Sequence, residues 1–151
     1  MLPRLTTELV TYIDPGAATG WSMFSGPRLL ACGLYRWIGE PYLSIPSAPC
    51  VVVEVPQYQH GDTPARINDL FVTTRRGAEI AGNLRARKVH YVHPHDWKGS
   101  VPKHIHNERV LSRLTSQELD IYNKAASTIS KTLQNNTIDA IGMGLICSGR
   151  W

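Results

Sequence analysis

Short apolar runs separated by turn-forming residues fill the first third of the chain. They predict the three strands of a meander, at residues 8–14, 18–25 and 29–37. Pro15 and Gly16 predict a tight turn between the first two strands. Residues 50–55 (CVVVEV) are β-branched with almost no polar alternation, which is typical of a central strand buried on both faces of a sheet.

The spacing of apolar residues then changes to helical steps. From Pro64 to about Arg87 they recur every three or four positions, so one helix face is predicted from Ile67, Leu70, Phe71, Thr74, Ala78 and Ala81. Residues 88–93 alternate and predict a fifth strand, whereas the proline-rich segment 41–49 predicts a loop. Further helices are predicted near Pro102, after a Thr115 to Glu118 capping box and from about Asn136. This order predicts an α/β fold: a central mixed five-stranded sheet flanked by helices, in a single domain over residues 1–151.

Composition narrows the class of protein. The 151 residues are 42% hydrophobic and 19% charged, with no apolar run of the ~18 residues that a membrane helix needs. The first residues lack the features of a secretion signal, so we expect a cytoplasmic protein without a membrane partner. The three cysteines show no CxxC spacing, which argues against disulfides and structural zinc. A net charge of +4 is compatible with a polyanionic partner such as DNA.

Three acidic residues are predicted on strands or near a helix start, where their carboxylates could bind a metal ion. Asp14 ends the first strand, although an Asp before Pro-Gly is also a common turn residue. Glu54 interrupts an apolar strand, where its charge requires a partner, either a metal or a basic side chain. With Asn136 as N-cap, Asp139 is predicted at the third position of the last helix, where capping alone would also explain it. Gly142 and Gly144 follow, and close approach of this helix to the sheet is one reason for both.

Several segments, in order, resemble the RuvC-type Holliday junction resolvases of the RNase H-like superfamily. Residues 13–24 (IDPGAATGWSMF) are similar to the first motif, and residues 51–57 (VVVEVPQ) to the second. The helix segment from Thr63 to Leu84 is similar to the helix that follows in that family. Residues 93–103 (HPHDWKGSVPK) resemble its lysine-containing segment, and residues 135–145 (NNTIDAIGMGL) its closing motif.

The resemblance implies an RNase H-like fold and a homodimer that nicks four-way DNA junctions symmetrically with two Mg²⁺ or Mn²⁺ ions per site. It makes Asp14, Glu54 and Asp139 metal ligands and catalytic residues, which we expect to converge on a common point. Asn136 stands where the family has a fourth acidic or histidine ligand, and its amide oxygen adds no charge. Whether Asn136 is natural or an inactivating substitution is not decided by the sequence.

The same resemblance gives DNA contacts. Lys98 and Lys103 match catalytic or phosphate-contacting lysines, with solvated surface charge as the alternative. Tyr58 follows the second motif and is a candidate to stack on an unpaired base, or else to pack on the core. The cationic candidates for phosphate contact are Arg66, Arg75, Arg76, Arg85, Arg87 and Lys88.

Other functions stay open at this point. A branched-DNA-binding module with weak or no cleavage would keep the fold and explain Asn136. A single-lobe relative of the actin-like and sugar-kinase ATPases shares the sheet, but such enzymes normally enclose ATP between two lobes. An RNase H-like nuclease of RNA–DNA hybrids would differ in substrate. The His93-x-His95 and His104-x-His106 pairs lack helical ligand spacing and a nearby cysteine, which disfavours zinc.

Overall fold

A computed structural model describes residues 1–37 and 44–151 of the chain. In the order of the sequence, the elements are β1 (Leu9–Asp14), β2 (Ala18–Ser25), β3 (Arg28–Arg36), β4 (Cys50–Glu54), α1 (Pro64–Leu84), β5 (Lys88–Val92), α2 (Pro94–Trp97), α3 (Lys103–Ser112), α4 (Ser116–Ala126) and α5 (Lys131–Cys147). All five predicted strands are confirmed. Of the predicted loop at 41–49, residues 41–43 lie outside the described residues, and 44–49 contain no α-helix or β-strand.

The five strands form one mixed sheet in the order β3-β2-β1-β4-β5. The first three run antiparallel as a meander, and β4 and β5 lie parallel to β1 and to each other. This is the α/β fold that the sequence predicts, a central mixed five-stranded sheet flanked by helices. Ile13 pairs with Val53, so Asp14 and Glu54 end neighbouring parallel strands at the same sheet edge.

Alternation along β1 and β4 directs their side chains to two separate cores. Ile13 and Val53 face α1 with Ile80 and Leu84 in one buried cluster. The residues one position earlier face the helices of the opposite side, in a cluster that includes Tyr12, Val52, Trp97, Val110, Ile138, Ile141 and Leu145. Because side chains alternate, Asp14 and Glu54 project on this second side, toward α5.

Helix α1 confirms the predicted segment but presents a different face to the sheet. Its buried residues are Leu70, Gly77, Ile80, Ala81 and Leu84. Phe71, which the periodicity places on the apolar face, is 70% exposed, and Thr74 and Ala78 are not buried either. The contact is centred on Gly77, where a Cβ would press on Val53 and Pro15, so the closest approach of helix and sheet decides which face is buried.

Helix α5 starts five residues before the predicted position, which corrects two expectations. Its N-cap is Ser130, so Asn136 is not a cap and Asp139 is not at the third helical position. The polar run KTLQNN has no apolar face that would have marked an earlier start. Capping therefore does not account for Asp139, which lies inside the helix and is 5% exposed.

Contacts between backbones fix α5 on the sheet. A Cβ on Gly20 of β2 would overlap the backbone carbonyl of Asn136, so strand and helix touch directly there. A Cβ on Gly144 would overlap the Phe24 ring, which confirms close approach to the sheet at that glycine. At Gly142 the reason differs, because its neighbours are Trp97, Val110 and His106 of α2 and α3.

Other features agree with the composition. All three cysteines are free and buried. Helices α3 and α4 begin where predicted, and α4 carries the Thr115 to Glu118 capping box. Among the described residues, none of the helices is both long enough and apolar enough to span a membrane.

Candidate active site

The predicted acidic residues meet at the sheet edge where β1 and β4 end. Asp14 closes β1, Glu54 closes β4, and Asp139 reaches the same edge from α5. Glu54 and Asp139 are 8% and 5% exposed, and Asp14 is half-buried. Three carboxylates from three separate elements thus share one largely buried place, which ordinary surface acids do not do.

Lys98 lies between two of these carboxylates. Its Nζ donates a hydrogen bond of 3.0 Å to Asp139 Oδ2 and lies 3.6 Å from Glu54 Oε2. The ammonium also lies over the Trp97 ring, 5.0 Å from its centroid. The indole Nε1 of Trp97 donates a 2.9 Å hydrogen bond to Glu54 Oε2. Trp97, the last residue of the short helix α2, therefore orients Glu54. Lys98, which follows it, partly neutralises Glu54 and Asp139.

The pKa values reflect burial and crowding of like charge. Burial and the negative charges of Glu54 and Asp139 raise the pKa of Asp14 well above its ordinary value. Burial also raises the pKa of Glu54, although Lys98 opposes the shift. Burial would lower the pKa of Lys98, but the three surrounding carboxylates raise it instead. The ammonium consequently stays charged at neutral pH, and the site needs more positive charge to ionise fully.

Asp139 behaves differently from the other two acids. Burial acts to raise its pKa, but the neighbouring His106 and Lys98 outweigh it, and the pKa is lowered. His106 Nε2 lies 3.3 Å from Asp139 Oδ1, and the His106 side chain is 3% exposed. Asp139 is therefore the acid of the site that is most firmly ionised.

The arrangement is not a completed metal centre. Over residues 1–37 and 44–151, no three His, Cys, Asp or Glu side chains are disposed so that they could hold one ion as they stand. The donors are nevertheless of the right chemistry, since Mg²⁺ and Mn²⁺ prefer carboxylate oxygens. Asp139 Oδ1 is buried and has no hydrogen-bond partner among those residues. A divalent ion would fit this donor set if it took over the compensating role of Lys98.

Asn136 lies one helical turn before Asp139 but is engaged elsewhere. Its Nδ2 donates a 2.8 Å hydrogen bond to the backbone carbonyl of Ala18. Its oxygen remains the only part of the amide that could serve as a ligand. The structure thus gives Asn136 a role in joining α5 to β2.

The remaining predicted residues lie around the site at different depths. Lys103 is exposed at the start of α3 and lines a cavity of about 140 Å³ together with Lys98, Gly99, Val101, His106 and Asp139. Tyr58 is 62% exposed in the loop after β4, so it does not pack on the core. On α1, Arg66 is exposed, Arg75 pairs with Glu79 at 3.4 Å, and Arg76 lies over the Trp37 ring. These cations remain candidates for phosphate contact.

Two residues of the site were missed by sequence reasoning, His106 and Trp97. In the sequence, His106 stands out only as part of an alternating histidine pair. Its spacing of four from the buried Val110 is a helical signal that places both on the inner face of α3. Trp97 lies in α2, whose four residues are too few to give a periodic pattern.

Comparison with known proteins gives likeness only at the level of structure. No protein-family model and no curated protein matches the sequence. A structure described as T. thermophilus RuvC in complex with Holliday junction substrate is similar over 91% of this chain and 90% of that chain, at 14% identity and a TM-score of 0.46. The Thermus thermophilus RuvC structure is similar over 91% of both chains, at 14% identity and a TM-score of 0.40. The fold is established by the chain's own strand order, and its chemistry has to be argued from its own residues.

Proposed function

We propose that this protein is a metal-dependent DNA endonuclease that resolves four-way junctions in the manner of the RuvC-type enzymes its motifs resemble. One observation carries the proposal: Asp14, Glu54 and Asp139 come from three elements to one buried sheet edge, with Lys98 between two of them. Such a concentration of negative charge is costly unless cations occupy it. It fits an enzyme that acts on a polyanion through bound divalent ions.

The reaction is hydrolysis of a phosphodiester, in which a water oxygen bonds to phosphorus while one ester P–O bond breaks and the departing oxygen gains a proton. Divalent ions held by the three carboxylates, with Asn136 as a further oxygen donor, would supply charge stabilisation and a nucleophilic water. The protein's own residues orient this set. Trp97 fixes Glu54, Lys98 and His106 contact Asp139, and α5 is held on β2 by Asn136.

Lys98 would also contact the substrate once metal ions neutralise the carboxylates. Its side chain is 27% exposed, so the ammonium can turn outward to a phosphate oxygen of the substrate. Lys103 is exposed and lines the same cavity, which supports a contact to the adjacent phosphate. These two lysines join the metal site to the DNA backbone.

Branched DNA and a second copy of the chain are the partners we propose. Tyr58 is exposed in the loop that follows Glu54, where its ring can stack on an unpaired base at a junction centre. Arg66, Arg75 and Arg76 can contact phosphates from α1. Phe71 and Val72 are 70% and 38% exposed on the same helix and form the candidate dimer contact, which would pair two sites for symmetric cleavage.

A branched-DNA-binding module without cleavage is a second candidate, and one observation favours it. Lys98 already occupies the gap between Glu54 and Asp139, and no complete metal site exists among the described residues. In such a module Lys98 would be a permanent counter-ion. Strong junction binding with no metal-dependent nicking would identify this function.

The deciding experiment is cleavage of a synthetic four-way junction across Mg²⁺ and Mn²⁺ titrations, with linear duplex and RNA–DNA hybrid as substrate controls. We expect symmetric nicking of the junction by the wild type. Asp139→Asn should reduce the rate by at least about a hundredfold, because it removes a charged ligand. The matched control is Asp120→Asn, an exposed acid on α4. Absence of metal-dependent nicking by the wild type would reject the nuclease assignment, and equal rates for Asp139→Asn and wild type would reject this site as its centre.

A further inference from the structure

His106 is a buried polar side chain held between aromatic rings and helix α5. It lies in the first turns of α3 and is 3% exposed. The Trp97 ring contacts it edge-on at 5.2 Å between centroids, and the Trp151 ring lies at 5.7 Å. Gly142 of α5 is also adjacent, and a Cβ there would approach His106 Nε2. The imidazole is thus held firmly with its Nε2 edge toward α5.

Three buried polar atoms at this place lack hydrogen-bond partners among the described residues: both ring nitrogens of His106, and Asp139 Oδ1. Burying such an atom without a hydrogen bond is unfavourable. His106 Nε2 and Asp139 Oδ1 lie 3.3 Å apart in an ion-pair contact whose geometry falls short of a hydrogen bond. Both residues line the cavity of about 140 Å³ beside Lys98 and Lys103. A ring nitrogen and a carboxylate oxygen that face one another at this distance are donors that one cation can bridge.

We propose that His106 Nε2 and Asp139 Oδ1 are ligands of the same divalent ion, so that His106 completes the metal site of the proposed nuclease. Two ligands at right angles, each about 2.1 Å from an ion, are about 3 Å apart, which is close to the observed separation. The nitrogen of Asn136 is already bound to the carbonyl of Ala18. The Asn136 oxygen adds no charge, and His106 therefore supplies from α3 a further ligand beside Asp139.

An imidazole ligand changes which ion the site prefers. Mg²⁺ favours sites made of oxygen donors, whereas transition-metal ions accept imidazole nitrogen readily. Mn²⁺ binds both carboxylate and imidazole. The inference rests on the proposed nuclease function and deepens it, since it names Mn²⁺ over Mg²⁺ as the preferred ion and His106 as the cause.

The test is calorimetric titration of the wild type, His106→Leu and His104→Leu with Mn²⁺ and with Mg²⁺. His104 is the matched control, because it is exposed on the same helix. We expect the wild type and His104→Leu to bind Mn²⁺ at least about tenfold more tightly than Mg²⁺. His106→Leu should lose about tenfold or more in Mn²⁺ affinity and change less than about threefold for Mg²⁺. Leucine fills most of the ring volume, and circular dichroism checks that the variant is folded.

A measurement on the wild type alone covers the case of an unfolded variant. Spin-echo spectra of the Mn²⁺-loaded protein, labelled with ¹⁵N histidine, should show coupling of the ion to one imidazole nitrogen. Absence of this coupling, or unchanged Mn²⁺ affinity in folded His106→Leu, would overturn the inference. Metal-dependent junction nicking in those same samples would leave the nuclease proposal standing. A wild type that binds no divalent ion would overturn both.

Discussion

Replacing Lys98 by methionine distinguishes charge compensation by the lysine ammonium from charge compensation by divalent ions at the site. Methionine keeps most of the side-chain volume but leaves Glu54 and Asp139 without the ammonium that lies 3.6 and 3.0 Å from them. Removing one partner of a buried ion pair typically costs about 3–5 kcal/mol. Because the lysine side chain is 27% exposed, we expect a smaller loss of unfolding free energy, roughly 2–4 kcal/mol at pH 7 without metal.

The loss should depend on pH with a defined sign. The pKa of Asp139 is lowered in the folded wild type, so its charged contacts stabilise the fold above the ordinary pKa of an aspartate and are lost as pH falls through the lowered folded value. The pKa of Glu54 is raised, and without Lys98 it rises further, so the variant gains relative stability as this carboxyl takes up a proton. The difference between the proteins is therefore largest near neutral pH and shrinks toward pH 3.

Urea unfolding from pH 3 to pH 8, with and without Mg²⁺, measures these differences. Divalent ions should restore most of the lost stability, because they take the place of the ammonium. The variant should bind Mg²⁺ about tenfold more tightly, or about 1.4 kcal/mol, yet nick junctions more slowly. Lys88→Met, which removes an exposed pair with Glu8 at 3.2 Å, is the control and should cost less than about 1 kcal/mol. Equal stability of Lys98→Met and wild type at pH 7 would refute the charge-compensation argument.

Three further changes test other parts of the molecule. Hydrogen bonds from Arg150 and from the backbone N–H groups of Thr115 and Leu29 hold the pKa of Glu118 at about 2 despite burial. Arg150→Met removes only the first of these, so it should cost about 1.5–3 kcal/mol at pH 7, and this loss should shrink as pH falls from 4.5 to 2 in urea titrations. Asn136→Asp replaces the donor to the Ala18 carbonyl with an acceptor. Thermal unfolding of this variant should show that its free energy of unfolding is lower than that of the wild type by about 1–3 kcal/mol without metal. Its nicking rate in millimolar Mg²⁺ should be about tenfold higher. Equal rates for the variant and the wild type would show that position 136 has no role in metal binding. Phe71→Glu should abolish dimers in light scattering without lowering stability, because the ring is 70% exposed, and a persisting dimer would exclude this contact.

The elements that the sequence predicts well are those whose signal is local. The strands that carry Asp14 and Glu54 are defined by apolar, β-branched runs and by Pro-Gly punctuation, so the sequence alone assigns Asp14 to a strand end and Glu54 to a central strand. The structure adds that the second strand ends at Glu54 and lies parallel beside the first, which brings the two carboxylates to one edge. The predicted start of α5 is wrong, because the first residues of that helix are polar and show no apolar periodicity.

Contacts between distant segments were beyond the reach of the sequence. The Lys98 contact to Asp139 joins residues 41 positions apart, and no spacing rule selects that pair. His106 and Trp97 belong to the site only because α2 and α3 pack against α5 at Gly142. A glycine in a helix indicates close approach, but it does not say which element approaches. Residue types could therefore be predicted for the site, whereas the partners of each carboxylate could not.

Charge balance links the metal to the substrate. Three carboxylates face one half-buried ammonium, and the raised pKa of Asp14 shows that the surplus negative charge is already unfavourable without DNA. A phosphate brought to this edge would add further negative charge to a poorly solvated place, so cations have to enter before or together with it. In the proposed enzyme, bound ions would compensate the carboxylates in place of Lys98, and the ammonium would then be free to contact the phosphate. Metal and DNA should therefore strengthen each other's binding, by the same factor in both directions.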